Sequence, residues 1–288
     1  MDDKILVTGA SGQLGALVVD ALIARVPAAQ VVALVRREEA AEALRAKGVE
    51  VRLASYDDRA ALESAFQGVG RLLLISGNDF ASRLAQHTTV IEAAQAAGVG
   101  FVAYTSVLRA DTSALMVADD HVPTEALLVA SGLDYALLRN GWYTENYTVS
   151  APMAVQHGAL IGAAGEAKIA SAARADYAEA AAVVLSAETI ESGKVYELAG
   201  SESYTLAELA AVISDVSGKP VPYVNMSEAE YKGALIGAGL PEGLATLLAS
   251  SDAAARDHGD LDGDGAVLET LIGRKTTPLR VSVEAALA

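Results

Sequence analysis

The chain has 288 residues, of which 52% are hydrophobic and 20% charged, so a disordered or collagen-like polymer is excluded and a sizeable core is available. Its 21 Lys+Arg against 37 Asp+Glu leave a formal net charge of −16, without the basic footprint that a nucleic-acid partner requires. No cysteine is present, which removes disulfides, thiol nucleophiles and thiolate metal sites together.

The charged start Met1-Asp2-Asp3-Lys4 leads directly into a strand-like run, and no apolar stretch is long enough to span a bilayer. A soluble cytoplasmic protein is expected, with neither nucleic acid nor membrane as partner. Short aliphatic runs then predict strands at Ile5–Thr8, Val31–Val35, Val49–Leu53, Arg71–Ile75 and Phe101–Thr105. Segments of helical spacing lie between them, at Leu14–Ala24, Glu38–Ala46, Arg59–Phe66 and Arg83–Ala97. Gly48, Gly68 and Gly98 stand just past helical segments, where a left-handed cap favours glycine. A sixth strand is predicted at Asp134–Leu138, after a helix and Gly132. Strands alternating with helices predict an α/β fold, a doubly wound parallel sheet of the Rossmann type covered on both faces.

Beyond Arg139 the alternation stops. Residues 140–175 read as loops with a hairpin near Ala159–Ala170, followed by a helix over Asp176–Ala187 and a strand at Val195–Leu198. Thr205 and Glu208 have capping-box spacing at the start of another helix. Two or three helices are expected over 227–273. The division predicted is a nucleotide-binding domain over 1–150, and a small, mainly helical C-terminal lobe over 151–288 that returns to the sheet.

The strongest local signal is Val7-Thr8-Gly9-Ala10-Ser11-Gly12-Gln13-Leu14-Gly15, between the first strand and the first helix. Glycines at this spacing permit a tight turn, backbone approach to a pyrophosphate, and close packing of helix on strand. The helix N-terminus then offers N–H groups and the positive end of its dipole. The second strand ends Leu34-Val35-Arg36-Arg37, without the carboxylate that an NAD-preferring site carries there. Guanidinium groups suit a 2′-phosphate, so NADP is favoured, although two solvated arginines opening the next helix would read the same. Asp57 fits either an acceptor for the adenine amino group or a helix N-cap.

The glycine loop, the Ile75-Ser76-Gly77 turn, His121-x-x-Thr124-Glu125 and Leu138-Arg139-Asn140-Gly141-Trp142-Tyr143-Thr144-Glu145-Asn146-Tyr147 together resemble the NmrA-like branch of the atypical short-chain dehydrogenases/reductases. The resemblance runs the length of the chain, through Ser217-Gly218-Lys219 to the Ile272–Leu279 tail. It implies a Rossmann domain, a small C-terminal lobe, a substrate cleft between the two, and NADP(H) as cofactor. By the same resemblance Gly9, Ser11, Gly12, Gln13, Leu14 and Gly15 lie on the pyrophosphate, and Arg36 on the 2′-phosphate. Ser76, Gly77, Thr105 and Ser106 line the nucleotide, while Asn140 to Tyr147 line the nicotinamide and substrate side.

Ordinary members of that superfamily use Tyr-x-x-x-Lys as a proton relay, and the corresponding helix here reads His121-Val122-Pro123-Thr124-Glu125. The activity implied is hydride transfer to a quinone-like or other conjugated electron acceptor, which needs little acid help. Asn140, Tyr143 and His121 are the catalytic candidates. His121 is either a proton donor or an ordinary first-turn residue beside Asp119 and Asp120. Trp142, Tyr143 and Tyr147 suit a stacking wall for a flat substrate, or a core. The competing function is a regulator that senses NADP without turnover. A homodimer is left open. Asp260-Leu261-Asp262-Gly263-Asp264-Gly265 opens like a calcium loop but carries Leu271 where a bidentate Glu belongs, so a solvated acidic turn and no metal are expected.

Overall fold

The computed structural model describes residues 4–288; the charged Met1-Asp2-Asp3 start lies outside the described residues. Nine strands occur among them: β1 Lys4–Val7, β2 Val31–Val35, β3 Glu50–Leu53, β4 Val69–Leu74, β5 Phe101–Val107, β6 Asp134–Asn140, β7 Leu160–Gly162, β8 Lys194–Leu198 and β9 Tyr223–Asn225. β3-β2-β1-β4-β5-β6-β8 form one sheet in that order, and β7 and β9 pair as a second. The pairings from β3 through β6 are all parallel. Sequential strands on one side of β1 run outward through β2 and β3, and on the other through β4 to β6. The order therefore reverses between β1 and β4, and an open α/β sheet has its ligand crevice at such a switch point.

Residues alternate faces along a strand, so each strand feeds two cores. Leu6, Val32, Leu34, Leu72, Leu74, Val102 and Tyr104 share one of them with Leu62, Phe66, Val90, Ile91, Ala94 and Leu128 from helices or their ends. On the opposite face the Gln13–Ile23 helix packs against the Arg174–Ser186 helix, which also touches β4 and β5. The wholly buried run of β2, Val31 to Val35, follows from this double cover.

The chain groups into two compact units: Met1–Ala110, Asp119–Asn140 and Arg174–Tyr196 in the first, and Asp111–Ala118, Gly141–Ala173 and Glu197–Ala288 in the second. The units interleave, whereas the expected boundary at residue 150 divides the sequence once; Arg174–Tyr196 return to the first unit because that helix covers the sheet. The second unit holds the β7–β9 pair and helices including Glu145–Thr148, Ala151–His157, Leu206–Ser217 and Glu242–His258. The capping box at Thr205 and Glu208 is formed, and a second stands at Ser227 and Glu230.

Three local expectations are corrected. The hairpin near 159–170 is absent, because β7 spends its hydrogen bonds on 222–226 (Leu160 N–H to the Pro222 carbonyl, 3.0 Å; Met226 N–H to the Gly162 carbonyl, 2.8 Å). The helix over Glu38–Ala46 is a 3-10 turn, Glu38–Ala40, followed by the short helix Glu42–Arg45. The acidic turn at 260–265 is only partly solvated: Asp260 is buried and accepts the Ala114 N–H at 2.8 Å, and Asp262 accepts from the Ser203 hydroxyl.

Within the Gly9–Gly15 loop, the first turn of the helix approaches the backbone after β1 directly. Gly9 has φ +58°, open to glycine. A Cβ on Gly15 would lie 2.2 Å from the Gly9 carbonyl oxygen and 2.8 Å from Ala10 Cα, whereas one on Gly12 would meet only the Gly9 oxygen, at 3.2 Å. Gly15→Ala is therefore expected to cost about 1–3 kcal/mol or more through overpacking. Gly12→Ala, at the exposed N-cap, is expected to cost under about 1 kcal/mol. Urea denaturation of the two variants measures the difference, and equal stabilities would overturn it.

Candidate functional site

The strands from β3 to β6 are parallel, so their C-terminal ends share one edge of the first unit, and most of the expected site residues lie along it. Ser11, Gly12 and Gln13 are exposed at the start of the Gln13–Ile23 helix, with Leu14 and Gly15 buried behind them. Gly12 is the N-cap, and no described side chain caps the helix. Its first N–H groups thus keep their donor capacity at the mouth of the switch point, together with the positive end of the dipole. Arg36 and Arg37 follow β2 directly and are both exposed.

Asp57 lies beyond β3, where its carboxylate accepts from the Gln86 side-chain amide at 3.1 Å. The N-cap role belongs to its neighbour instead: Asp58 accepts the Ala61 N–H and opens the Arg59–Ala65 helix. Tyr56, not singled out from the sequence, donates its hydroxyl to the Ile75 carbonyl at 2.9 Å and is 2.5 Å from Thr8 Oγ1. Burial pushes the Tyr56 phenol well above its ordinary range, against the opposing charge of Arg36, so it stays a neutral donor.

Ser76 and Gly77 are half-buried just past β4. Thr105 and Ser106 lie inside β5, both buried: Thr105 Oγ1 accepts the Ser76 N–H at 2.9 Å, and Ser106 donates to Glu125 Oε1 at 2.5 Å. Glu125 is itself gripped by Arg139 of β6, with Nε at 3.0 Å and Nη2 at 2.7 Å. Both side chains are nearly buried. A bidentate, buried pair of this kind fixes position more than it adds stability. Glu125 stands at the lysine place of the relay spacing, and its charge is closed on Arg139 and Ser106.

His121 is 6% exposed, and its Nδ1 lies 2.6 Å from the Tyr104 hydroxyl. Burial, reinforced by the Arg83 charge, pushes its pKa down to about 3. The imidazole is therefore neutral at physiological pH and packed inward against Tyr104, a setting that favours the structural alternative over a proton donor. Asn140 is buried at the end of β6, where its carbonyl accepts the Leu108 N–H at 2.9 Å.

The aromatic candidates belong to the second unit. Trp142 and Tyr143 are half-buried on an extended segment pinned to Ala172: the Ala172 N–H donates to the Trp142 carbonyl at 3.1 Å, and the Thr144 N–H to the Ala172 carbonyl at 2.9 Å. Tyr147 departs from the expectation of a substrate wall. It is 6% exposed, and its hydroxyl donates at 2.7 Å to Asp252, whose other oxygen takes the Ala163 N–H at 2.8 Å. That buried carboxylate turns Tyr147 inward as a tie between segments. No group of His, Asp and Glu among the described residues could hold a metal ion.

Burial similarly pushes His87 down to about 4, again with Arg83 contributing. Unfolded, both imidazoles titrate near 6.5, so below that pH the unfolded chain binds more protons than the folded one. Stability is thus expected to be full above about pH 6.5 and to fall below it, with a slope of up to about 2.7 kcal/mol per pH unit while both groups contribute, down to about pH 4, and half that on to about pH 3 for His121 alone. His121→Gln should halve the slope. Urea denaturation at pH 7, 6 and 5 measures it, and a flat stability over that window would mean that the imidazoles accept protons in the folded state.

The NmrA-like family model matches residues 1–284. Quinone oxidoreductase 2 of Escherichia coli is 56% identical over 279 residues, 97% of each chain. The crystal structure of the NADPH-dependent quinone oxidoreductase from Escherichia coli complexed with NADPH superposes with a TM-score of 0.95 at 55% identity, covering 99% of this chain and 100% of that one. The Citrobacter triphenylmethane reductase complexed with NADP(H) follows at a TM-score of 0.93 and 38% identity, covering 98% and 100%. The glycine loop, the switch-point geometry and these likenesses agree along the whole chain: it belongs to the NmrA-like family.

Proposed function

We propose that the chain is an NADPH-dependent reductase that passes hydride to quinone-like or other conjugated, electrophilic acceptors. The observation that carries the reading is the glycine cradle at the switch point, with an uncapped helix N-terminus and Arg36 just beyond β2, in a chain 56% identical to quinone oxidoreductase 2.

The residues present fit a dinucleotide. Gly12 leaves the space that a side chain would fill, and the first amides of the Gln13–Ile23 helix suit a pyrophosphate. Arg36 suits the 2′-phosphate through its paired donors, and Asp57 keeps an exposed carboxylate for the adenine amino group. NADPH, when bound, supplies the hydride. The protein's own part is to orient and to exclude: Thr105, Ser106, Ser76 and Gly77 form the wall at the strand ends, and Asn140, Trp142 and Tyr143 serve the nicotinamide and acceptor side.

The setting of residues 121 and 125 favours one class of acceptor. His121 is neutral and turned inward, and Glu125 is closed on Arg139 and Ser106. A carbonyl that must be protonated as hydride arrives is poorly served by such a site. An electrophile that accepts hydride first and collects its proton from water is well served.

Arg36→Ala is expected to raise the KM for NADPH by about tenfold or more while leaving that for NADH nearly unchanged, because only NADPH loses a charge-assisted contact. Steady-state oxidation of the two cofactors with a benzoquinone measures this, and equal losses would remove Arg36 from the 2′-phosphate. NADPH bound without oxidation across a panel of quinones would favour the regulatory alternative.

Tyr143→Ala is expected to lower kcat/KM for the quinone with NADPH affinity close to normal, and His121→Ala to cost less. Removing a positioned general acid costs about 10²–10⁴-fold. A loss of that size for His121→Ala, with both ligands still bound, would restore His121 as the proton donor.

A further inference from the structure

At the end of β4 three consecutive backbone N–H groups donate to side chains. Ile75 donates to Thr8 Oγ1 at 2.9 Å, Ser76 to Thr105 Oγ1 at 2.9 Å, and Gly77 to His87 Nε2 at 3.0 Å. Two carbonyls of the same turn are claimed as well: that of Ile75 by the Tyr56 hydroxyl, and that of Gly77 by Arg83 Nε at 2.6 Å. Arg83 and His87 are one turn apart on the Arg83–Ala97 helix, so a single helix grips both polar groups of Gly77.

The hydrogen-bond network assigns the His87 tautomer. Nε2 receives the Gly77 proton, so Nδ1 must carry the ring hydrogen and donate to Thr124 Oγ1 at 3.0 Å. The Thr124 hydroxyl in turn donates to the Asp120 carbonyl at 2.7 Å. Every step of the relay runs in one direction, and a protonated imidazole would set a second donor against the Gly77 N–H. Arg83 is held as firmly: it is 5% exposed, its guanidinium lies 4.2 Å from the centre of the Phe80 ring, and the Asp120 carboxylate is at 3.6 Å.

We propose that Arg83 and His87 are positioning residues for the dinucleotide, which fix the Gly77 peptide so that the 75–77 turn meets the cofactor as a wall of Cα and side-chain edges with its N–H groups turned inward. The inference rests on the reading that Ser76 and Gly77 line the nucleotide. It divides the labour at the crevice. A turn whose amides are all committed has no donors for phosphate, so the phosphates fall to the Gln13–Ile23 helix and Arg36.

The test compares two amides at position 87. In His87→Gln the side-chain oxygen reaches the place of Nε2 and can still accept from Gly77; in His87→Asn the shorter side chain reaches only the place of Nδ1 and leaves the Gly77 N–H unmet. Fluorescence titration is expected to show the NADPH Kd raised about tenfold by His87→Asn. His87→Gln should restore most of it, and kcat at saturating NADPH should fall less than Kd rises. A Kd unchanged in a folded His87→Asn, or equal losses in both variants, would reduce His87 to a support of the fold. Gly12→Val separates the two readings. If it retains NADPH affinity, the dinucleotide reading itself fails and the inference with it; if it loses affinity while His87→Asn keeps it, only the positioning role is overturned.

Discussion

The contact between the Gly9 carbonyl and Gly15 is the constraint on which the first unit turns. At that separation no side chain fits, so at Gly15 the first helix meets the loop after β1 backbone to backbone. The helix axis is thereby aimed at the switch point between β1 and β4, and its N-terminal amides face the crevice instead of a capping side chain. A residue with a Cβ at position 15 would push the helix away and lose that aim, even though helix and strand could each still form. The elements are common to many folds; the close approach gives them a use.

Around that edge the backbone of each strand end must find partners as the ladder stops, because a buried amide left unpaired is costly. Thr8, Thr105 and His87 supply acceptors for successive amides after β4, and Tyr56 and Arg83 supply donors for its carbonyls. The same requirement bears on proton transfer. In a relay a charged group must be free to change its proton. Here Glu125 is held in a bidentate pair by Arg139, and burial keeps His121 and His87 uncharged. The polar groups under the sheet edge serve shape, and a site of fixed shape suits an acceptor that supplies its own electrophilicity.

The second unit is assembled on a different rule. Its two-stranded β7–β9 sheet, with three residues in each strand, is too small to organise a core. Side chains take over as ties: Asp252 joins Tyr147 to the Ala163 amide, Thr144 and Ser171 meet at 2.8 Å, and Ser171 meets the Tyr204 hydroxyl at 2.6 Å. Gly162 is pressed between Leu206, Asp252 and Tyr223, which explains a glycine in a strand. Such ties join residues from 27 to 105 positions apart, and leave no periodic mark in the sequence.

The sequence by itself determined the features that local physics sets. Period and composition marked the strands from β1 through β6 and β8, and the glycine spacing marked the loop, whose closest approach, Gly9 to Gly15, lies within six residues. Thr205 and Glu208 announced a capping box because both partners lie within one turn. Arg36 stood out for a carboxylate missing at a known distance from the loop. Tertiary structure decided whatever depends on distant partners. It moved the N-cap from Asp57 to Asp58, drew Tyr147 inward to Asp252, paired β7 with β9 in place of a hairpin, and placed His87 beneath Gly77. It also decided the charge of His121, since an imidazole takes its pKa from burial and from the guanidinium beside it, and neither is written within a helical turn of residue 121.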